Sequence, residues 1–280
     1  EPAAPGDPYA VDLCHYTALF SESDYTCGRP LMVDGRPAMA SVVSGSDWVE
    51  ATQVHSTDDV RDAAVTFWLR SAMLEHASVA SFGLVTLQLM HLGATPDLID
   101  DSLAAARDEV AHARLCFSMA SAYAGRPMGP GALDLTGAAS AAIDRVDFAE
   151  ALVREGCVGE TLAAIEATHR AIACTQSEAQ AALHQIADDE ARHAQLAWRT
   201  LAWLLETDHD GQIRARVNQV LAEEGARVLS MTTVGHASDE ALAHGLLDDG
   251  AVAAALISAW HAVVAPSWAD LDGPSAVAEA

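Results

Sequence analysis

Two stretches of the chain repeat one phrase. Asp108-Glu109-Val110-Ala111-His112-Ala113-Arg114-Leu115 and Asp189-Glu190-Ala191-Arg192-His193-Ala194-Gln195-Leu196 both read D-E-x-x-H-A-x-L. On a helix, a spacing of three sets the carboxylate and the imidazole on one face, where both reach one ion. E-x-x-H alone is a weak signal. The flanking Asp, Ala and Leu, matched twice, make it a strong one. Steps of three and four residues run Leu98, Ser102, Ala105, Glu109, His112, Cys116, Met119, Tyr123, and again Ala179, Leu183, Ile186, Glu190, His193, Ala197, Thr200, Leu204. In both, Glu and His stand inside an apolar stripe. A carboxylate buried without a partner is strongly disfavoured, and a divalent metal is the partner that serves several at once.

Four long helices must position these residues. Ser56-Thr57-Asp58-Asp59 opens a helical period that runs to about Leu92, with Gly93 as its stop. Thr95-Pro96 opens a second helix to about Ala124. Gly125 to Gly137 reads as a crossing loop. Asp147-Phe148-Ala149-Glu150 reads as a capping box for a third helix to about Ala173, and Thr175-Gln176-Ser177-Glu178 as one for a fourth to about Glu206. Two short joins and one long one predict an all-α chain built on a four-helix bundle with one long crossover, the ferritin-like arrangement. Residues 1–55 read as an irregular arm with one or two short strands around Leu31–Val33. Residues 56–207 form the bundle. Residues 208–280 add helices at Gln212–Ser230, after Ser238 and at Asp249–Ala265, the last stopped by Pro266.

The other two helices should each add a carboxylate. In the first, Glu75 is the one acid between Ala63 and Leu92. The third offers Glu155 and Glu160. Glu75 precedes Glu109 by 34 residues, and Glu155 precedes Glu190 by 35 against 30 for Glu160, which places Glu155 ahead. Five residues put the two on different faces of a regular helix; a π-bulge, which Gly156 and Gly159 permit, would bring both to one side. Both stay candidates. Glu166 falls about three turns further along and is set aside.

Glu75, Glu109 with His112, Glu155 or Glu160, and Glu190 with His193 resemble the ligand set of the ferritin-like di-iron carboxylate proteins, such as rubrerythrins, ribonucleotide reductase small subunits and di-iron oxygenases. The resemblance covers roughly residues 60–205. It implies two iron ions, or manganese in one or both places, that activate O2 to oxidise a small organic substrate with an external electron donor. It also implies that Asp108 and Asp189 hydrogen-bond the histidines of the opposite pair and orient them. A ferroxidase or peroxide scavenger is the alternative, and a metal-stabilised interaction bundle a third. A rubredoxin-type C-x-x-C pair is absent from the sequence.

Composition bounds the partners. Fifteen Arg, no Lys and forty acids give a formal charge of −25, which repels nucleic acid. The apolar run Ala251–Ala265 is short and interrupted for a membrane span. Cys14 and Cys27 lie in a loop-like segment that a disulfide would staple, which favours an exported protein over a cytoplasmic one. The opening Glu1-Pro2-Ala3 without Met reads as a processed or trimmed terminus. Cys116, Cys157 and Cys174 fall in helical patterns as small buried hydrophobes. His76 and His169 are the lone helical histidines able to approach the site, and Tyr123 reads as a core residue. Neither a nucleophile elbow nor a phosphate-binding Gly-rich loop is present.

Overall fold

The computed structural model describes residues 28–33, 35–138 and 144–273. Cys14 and Cys27 are outside them. The described residues are mostly helical, as an all-α chain requires. Ahead of the first helix, β1 (Met32–Val33) pairs antiparallel with β2 (Arg36–Pro37). β3 (Val42–Ser44) pairs with β4 (Met128–Pro130), which lies in the stretch expected as plain loop. This pairing ties the arm to the crossing segment and is invisible to local pattern, because the partners are far apart in sequence.

α1 (Asp58–Leu92) and α2 (Pro96–Ala124) form a hairpin. Gly93 turns it at φ 77°, a conformation that favours glycine, and its N–H returns to the Leu89 and Met90 carbonyls. Thr57 is the N-cap residue of α1, but its hydroxyl donates to Glu240 rather than capping the helix. The third long helix starts earlier than its capping-box reading: Asp144 accepts from the Val146 N–H and opens α3 (Arg145–Ala151). A π-helical stretch, Leu152–Glu160, follows, and then α4 (Thr161–Ala173). α5 (Ser177–Glu206) packs antiparallel on α4 and also on α2 and the π-helical stretch. The two glycines inside that stretch sit where other chain segments press closest. A Cβ on Gly156 would stand 2.7 Å from Ala197 Cβ of α5, and one on Gly159 would stand 2.8 Å from the Gly28 carbonyl of the arm.

α6 (Gln212–Leu229), α7 (Asp239–Ala243) and α8 (Asp249–Ala259) follow. Beyond α8 the chain does not stop at Pro266. Trp260–Val264 is π-helical and α9 (Ala265–Asp272) continues through the proline. A proline ring clashes with the carbonyl four residues back in an α-helix. The wider turn ahead of Pro266 relieves this, and the Ala265 N–H bonds Trp260 O, five residues back. The continuous stretch Asp249–Asp272 contains an 18-residue window with a mean hydropathy of 1.4 and is therefore long and apolar enough to cross a membrane, unlike the shorter run read from sequence. In this fold its Leu256 and Val264 are fully buried against the helical core.

The core of the described residues divides into two apolar clusters. Along α1, one cluster takes Val60 to Met73 and the other Phe82 to Leu89. Along α2 they take Ala113 to Tyr123 and Leu98 to Ala105, and along α5 Ala179 to Ala187 and Leu196 to Leu204. Glu75, Glu109 with His112, and Glu190 with His193 fall in the three gaps. The helices thus carry a polar layer between two packed apolar ends. The ends hold the layer in place by burial.

Candidate metal centre

The layer brings two donor groups together. One atom each of Glu75, Glu109, His112 and Glu190 lie within 4.8 Å of one another, and so do one atom each of Glu109, Glu160, Glu190 and His193. Opposite ligands on an octahedral divalent ion stand about 4.2 Å apart. Each group is therefore within small adjustments of holding one ion. Glu109 and Glu190 belong to both groups, so the two positions share two carboxylates.

The histidines are held alike. His112 turns Nδ1 toward Glu190 at 3.5 Å, Glu109 at 3.6 Å and Glu75 at 3.7 Å, while its Nε2 bonds Asp189 Oδ2 at 2.9 Å. His193 turns Nδ1 toward Glu109 at 3.1 Å and Glu190 at 3.6 Å, with Nε2 3.5 Å from Asp108. Each imidazole thus faces an Asp from the opposite D-E-x-x-H stretch. Arg192, inside the second phrase, donates Nη2 to Asp189 and to Asp108, so one guanidinium clasps both. The motif reading missed this residue, although it stands beside the ligand positions in the repeated phrase.

Of the two carboxylates offered by the third helix, the structure brings Glu160 into the donor layer. Glu155 instead lies 3.8 Å from Arg29 Nε, and burial, partly offset by Arg29, raises its carboxyl. The spacing that places Glu155 ahead counts residues as if the helix were α-helical throughout. Nine π-helical residues break that count. Arg29 itself is buried, stacked 5.6 Å over Phe82, and comes from the arm, where no periodicity announces it. Of the lone histidines, His76 packs edge-on against Trp48 at 5.2 Å, and His169 is exposed. Neither joins a donor group. Tyr123 bonds His244 Nδ1 at 2.7 Å, in the apolar cluster beyond the layer. Cys116, Cys157 and Cys174 are buried free thiols.

The electrostatics of the layer follow from burial and crowded charge. Burial, then the charge of Glu109, pushes the Glu75 carboxyl up to about 8. Burial and the Glu190 charge hold Glu160 well above the usual range. Desolvation disfavours charge on both histidines, but the acids around them outweigh it, for His112 led by its bond to Asp189. His112 is raised far above its ordinary value, and His193 is pushed up to about 10. Desolvation also opposes the charges on Glu109 and Glu190, yet the histidines beside them, and for Glu190 first the neighbouring Glu160 carboxyl, leave both lowered. Even so, Glu109 Oε2, both Glu160 oxygens, Glu190 Oε2, His112 Nδ1 and His193 Nδ1 are buried without a hydrogen-bond partner among the described residues. An unsatisfied buried polar atom costs about 1–3 kcal/mol, more when charged. A divalent cation in each group would satisfy these donors. The oxygen and imidazole donors suit iron, manganese or zinc better than a thiolate-seeking metal. This buried Glu/His group can hold a metal ion.

No family model, curated protein or solved structure matches the chain.

Proposed function

We propose that the chain is a ferritin-like four-helix di-metal protein. Two iron ions, or manganese in one or both places, would sit in the two donor groups and activate O2 to oxidise or hydroxylate a small organic molecule. The observation that carries this reading is the sharing of Glu109 and Glu190 by both groups. Two shared carboxylates would hold two ions close together, where they would supply the redox chemistry for one O2.

When bound, the ions supply the redox change and open coordination positions. The chain's residues prepare the place. Asp189 and Asp108 face the Nε2 side of His112 and His193, which leaves Nδ1 of each ring turned into the layer. Glu75 and Glu160, both raised by burial, hold their protons in the metal-free layer and would give them up on binding a cation. Trp68, Ala72, Phe117 and Leu162, all fully buried, close the apolar ends against water. Insertion of one oxygen into a C–H bond consumes O2, two electrons and two protons, and yields an alcohol and water. The electrons come from an external donor.

A cavity touching Glu75 and Glu190 favours substrate oxidation over iron storage or peroxide scavenging, because it gives an organic molecule a place beside the donors. The test is anaerobic loading with Fe(II), elemental analysis, then exposure to O2. We expect two irons per chain and one oxidation event per pair. Fewer than two irons would end the di-metal reading. Sustained oxidation of excess Fe(II) would transfer it to the ferroxidase alternative.

A further inference from the structure

Access to solvent divides the two donor groups. Glu109, Glu190, His112, Glu160 and His193 are each at most 3% exposed, whereas the Glu75 side chain is 16% exposed. The first group therefore has one donor in contact with solvent. The second, made of Glu109, Glu160, Glu190 and His193, has none.

A cavity accounts for the difference. It has a volume of about 150 Å³, opens between α1, α4 and α5, and reaches Glu75 and Glu190. Glu166, Arg70 and Arg170 also line it, so its walls carry five charged side chains. Arg170 is paired with Glu166, donating Nε and Nη2 to it at 2.8 and 2.6 Å. Charged walls open to solvent keep their water, and this volume takes several water molecules. A hydrated divalent ion has room to come up to Glu75 here and exchange its waters for oxygen donors in steps.

The donors that belong to the second group alone meet packed residues instead. Gly28 lines the cavity on the Glu160 side, where a Cβ built on it would lie 3.9 Å from Glu160 Oε2. Its N–H donates to the Gly159 carbonyl at 3.3 Å and fixes this part of the arm against the π-helical stretch. Phe82 packs edge-on against His193 at 5.1 Å, and Arg29 lies 5.6 Å over the Phe82 ring. Phe82 and Arg29 are both buried.

We infer that the two metal positions are inequivalent in exchange: ions pass along the cavity to the Glu75 position, and the Glu160 position fills and empties only through it. The inference rests on the di-metal reading and gives Glu75 a second task, as the residue at which an ion enters and leaves. An ion at the Glu160 position is locked in while the Glu75 position is occupied.

The test loads the protein with Co(II), counts the metal, and follows its release to a chromophoric chelator by stopped flow. We expect two cobalt per chain and two phases of one cobalt each, the second at least about tenfold slower because it waits for the first position to empty. Glu160→Ala, which keeps the Glu75 position alone, should release its ion at the fast rate. Ser71 lines the cavity one turn before Glu75 and belongs to neither donor group. Ser71→Phe narrows the route and should slow both phases several-fold at unchanged metal content. Leu74→Trp, also in the lining, makes the same test should Ser71→Phe fold poorly. A single phase from protein holding two cobalt overturns the inequivalence and leaves the centre standing. Two phases that neither substitution slows overturn the cavity as the route. Fewer than two cobalt per chain overturns the di-metal reading and the inference with it.

Discussion

His112 Nε2 stands 2.9 Å from Asp189 Oδ2, and Asp189 is the residue next to Glu190 on the helix facing it. One hydrogen bond thereby aims the ring's other nitrogen at three carboxylates. Removing it frees the ring to turn. We expect Asp189→Ala to weaken metal binding about 10–100-fold. Asp108→Ala should have a smaller effect, since its contact to His193 is longer at 3.5 Å. Competitive titration with a chromophoric chelator measures both, and equal, negligible losses would refute the orienting role.

The sharing of carboxylates sets a graded pattern of metal loss. Glu109→Ala or Glu190→Ala removes a donor from both groups and should empty both positions. Glu75→Ala and Glu160→Ala each touch one group and should leave about one metal per chain. Glu155→Ala should leave loading unchanged, because Glu155 faces Arg29. Elemental analysis of the five variants decides. Loss of metal from Glu155→Ala with full loading of Glu160→Ala would reverse the assignment.

Protons and metal compete for the same atoms, which gives the metal-free protein a distinctive pH response. Glu75, raised from 4.5 to about 8, stabilises the fold fully below its unfolded value and loses that contribution as pH rises toward about 8. His193, raised from 6.5 to about 10, behaves the same way over the higher window. Glu109 and Glu190 act oppositely and on the acid side, because both are lowered. The Tm of metal-free protein should therefore fall between about pH 6 and about pH 9. With metal bound, the ion replaces those protons and the curve should flatten. Parallel curves with and without metal would contradict the site.

Gly159 tests the docking of the arm. A Cβ there would stand 2.8 Å from the Gly28 carbonyl and 3.2 Å from the Arg154 carbonyl, both backbone atoms that move only with their chain. Gly159→Ala should cost about 1–3 kcal/mol by overpacking. Calorimetry should show a Tm several degrees lower, and an unchanged Tm would mean the arm yields freely.

The buried donors on regular helices are legible in the sequence, because D-E-x-x-H repeats and Glu75 is isolated in an apolar stretch. Periodicity also located the long helices to within a few residues. It failed where the period itself changes. Residue counting favours Glu155 over Glu160 because it assumes a regular α-helix, whereas Leu152–Glu160 is wound more widely. The pattern ends the last helix too soon, because Pro266 reads as a stop unless a π turn precedes it. Arg29, Arg70 and Arg170 carried no local signal, since an isolated arginine acquires meaning only from what folds against it.

The arm's contact with the π-helical stretch has a consequence for the order of assembly. The donors all lie on helices and the π-helical stretch, and α1 with α2, and α4 with α5, pair through short joins. Gly28 N–H reaches the Gly159 carbonyl at 3.3 Å across 131 residues of chain. Closing so long a loop carries more entropy loss than zipping a hairpin, so local pairs form first. The two helix hairpins that carry the donors therefore form early, and the arm that meets the π-helical stretch at Gly28 docks late.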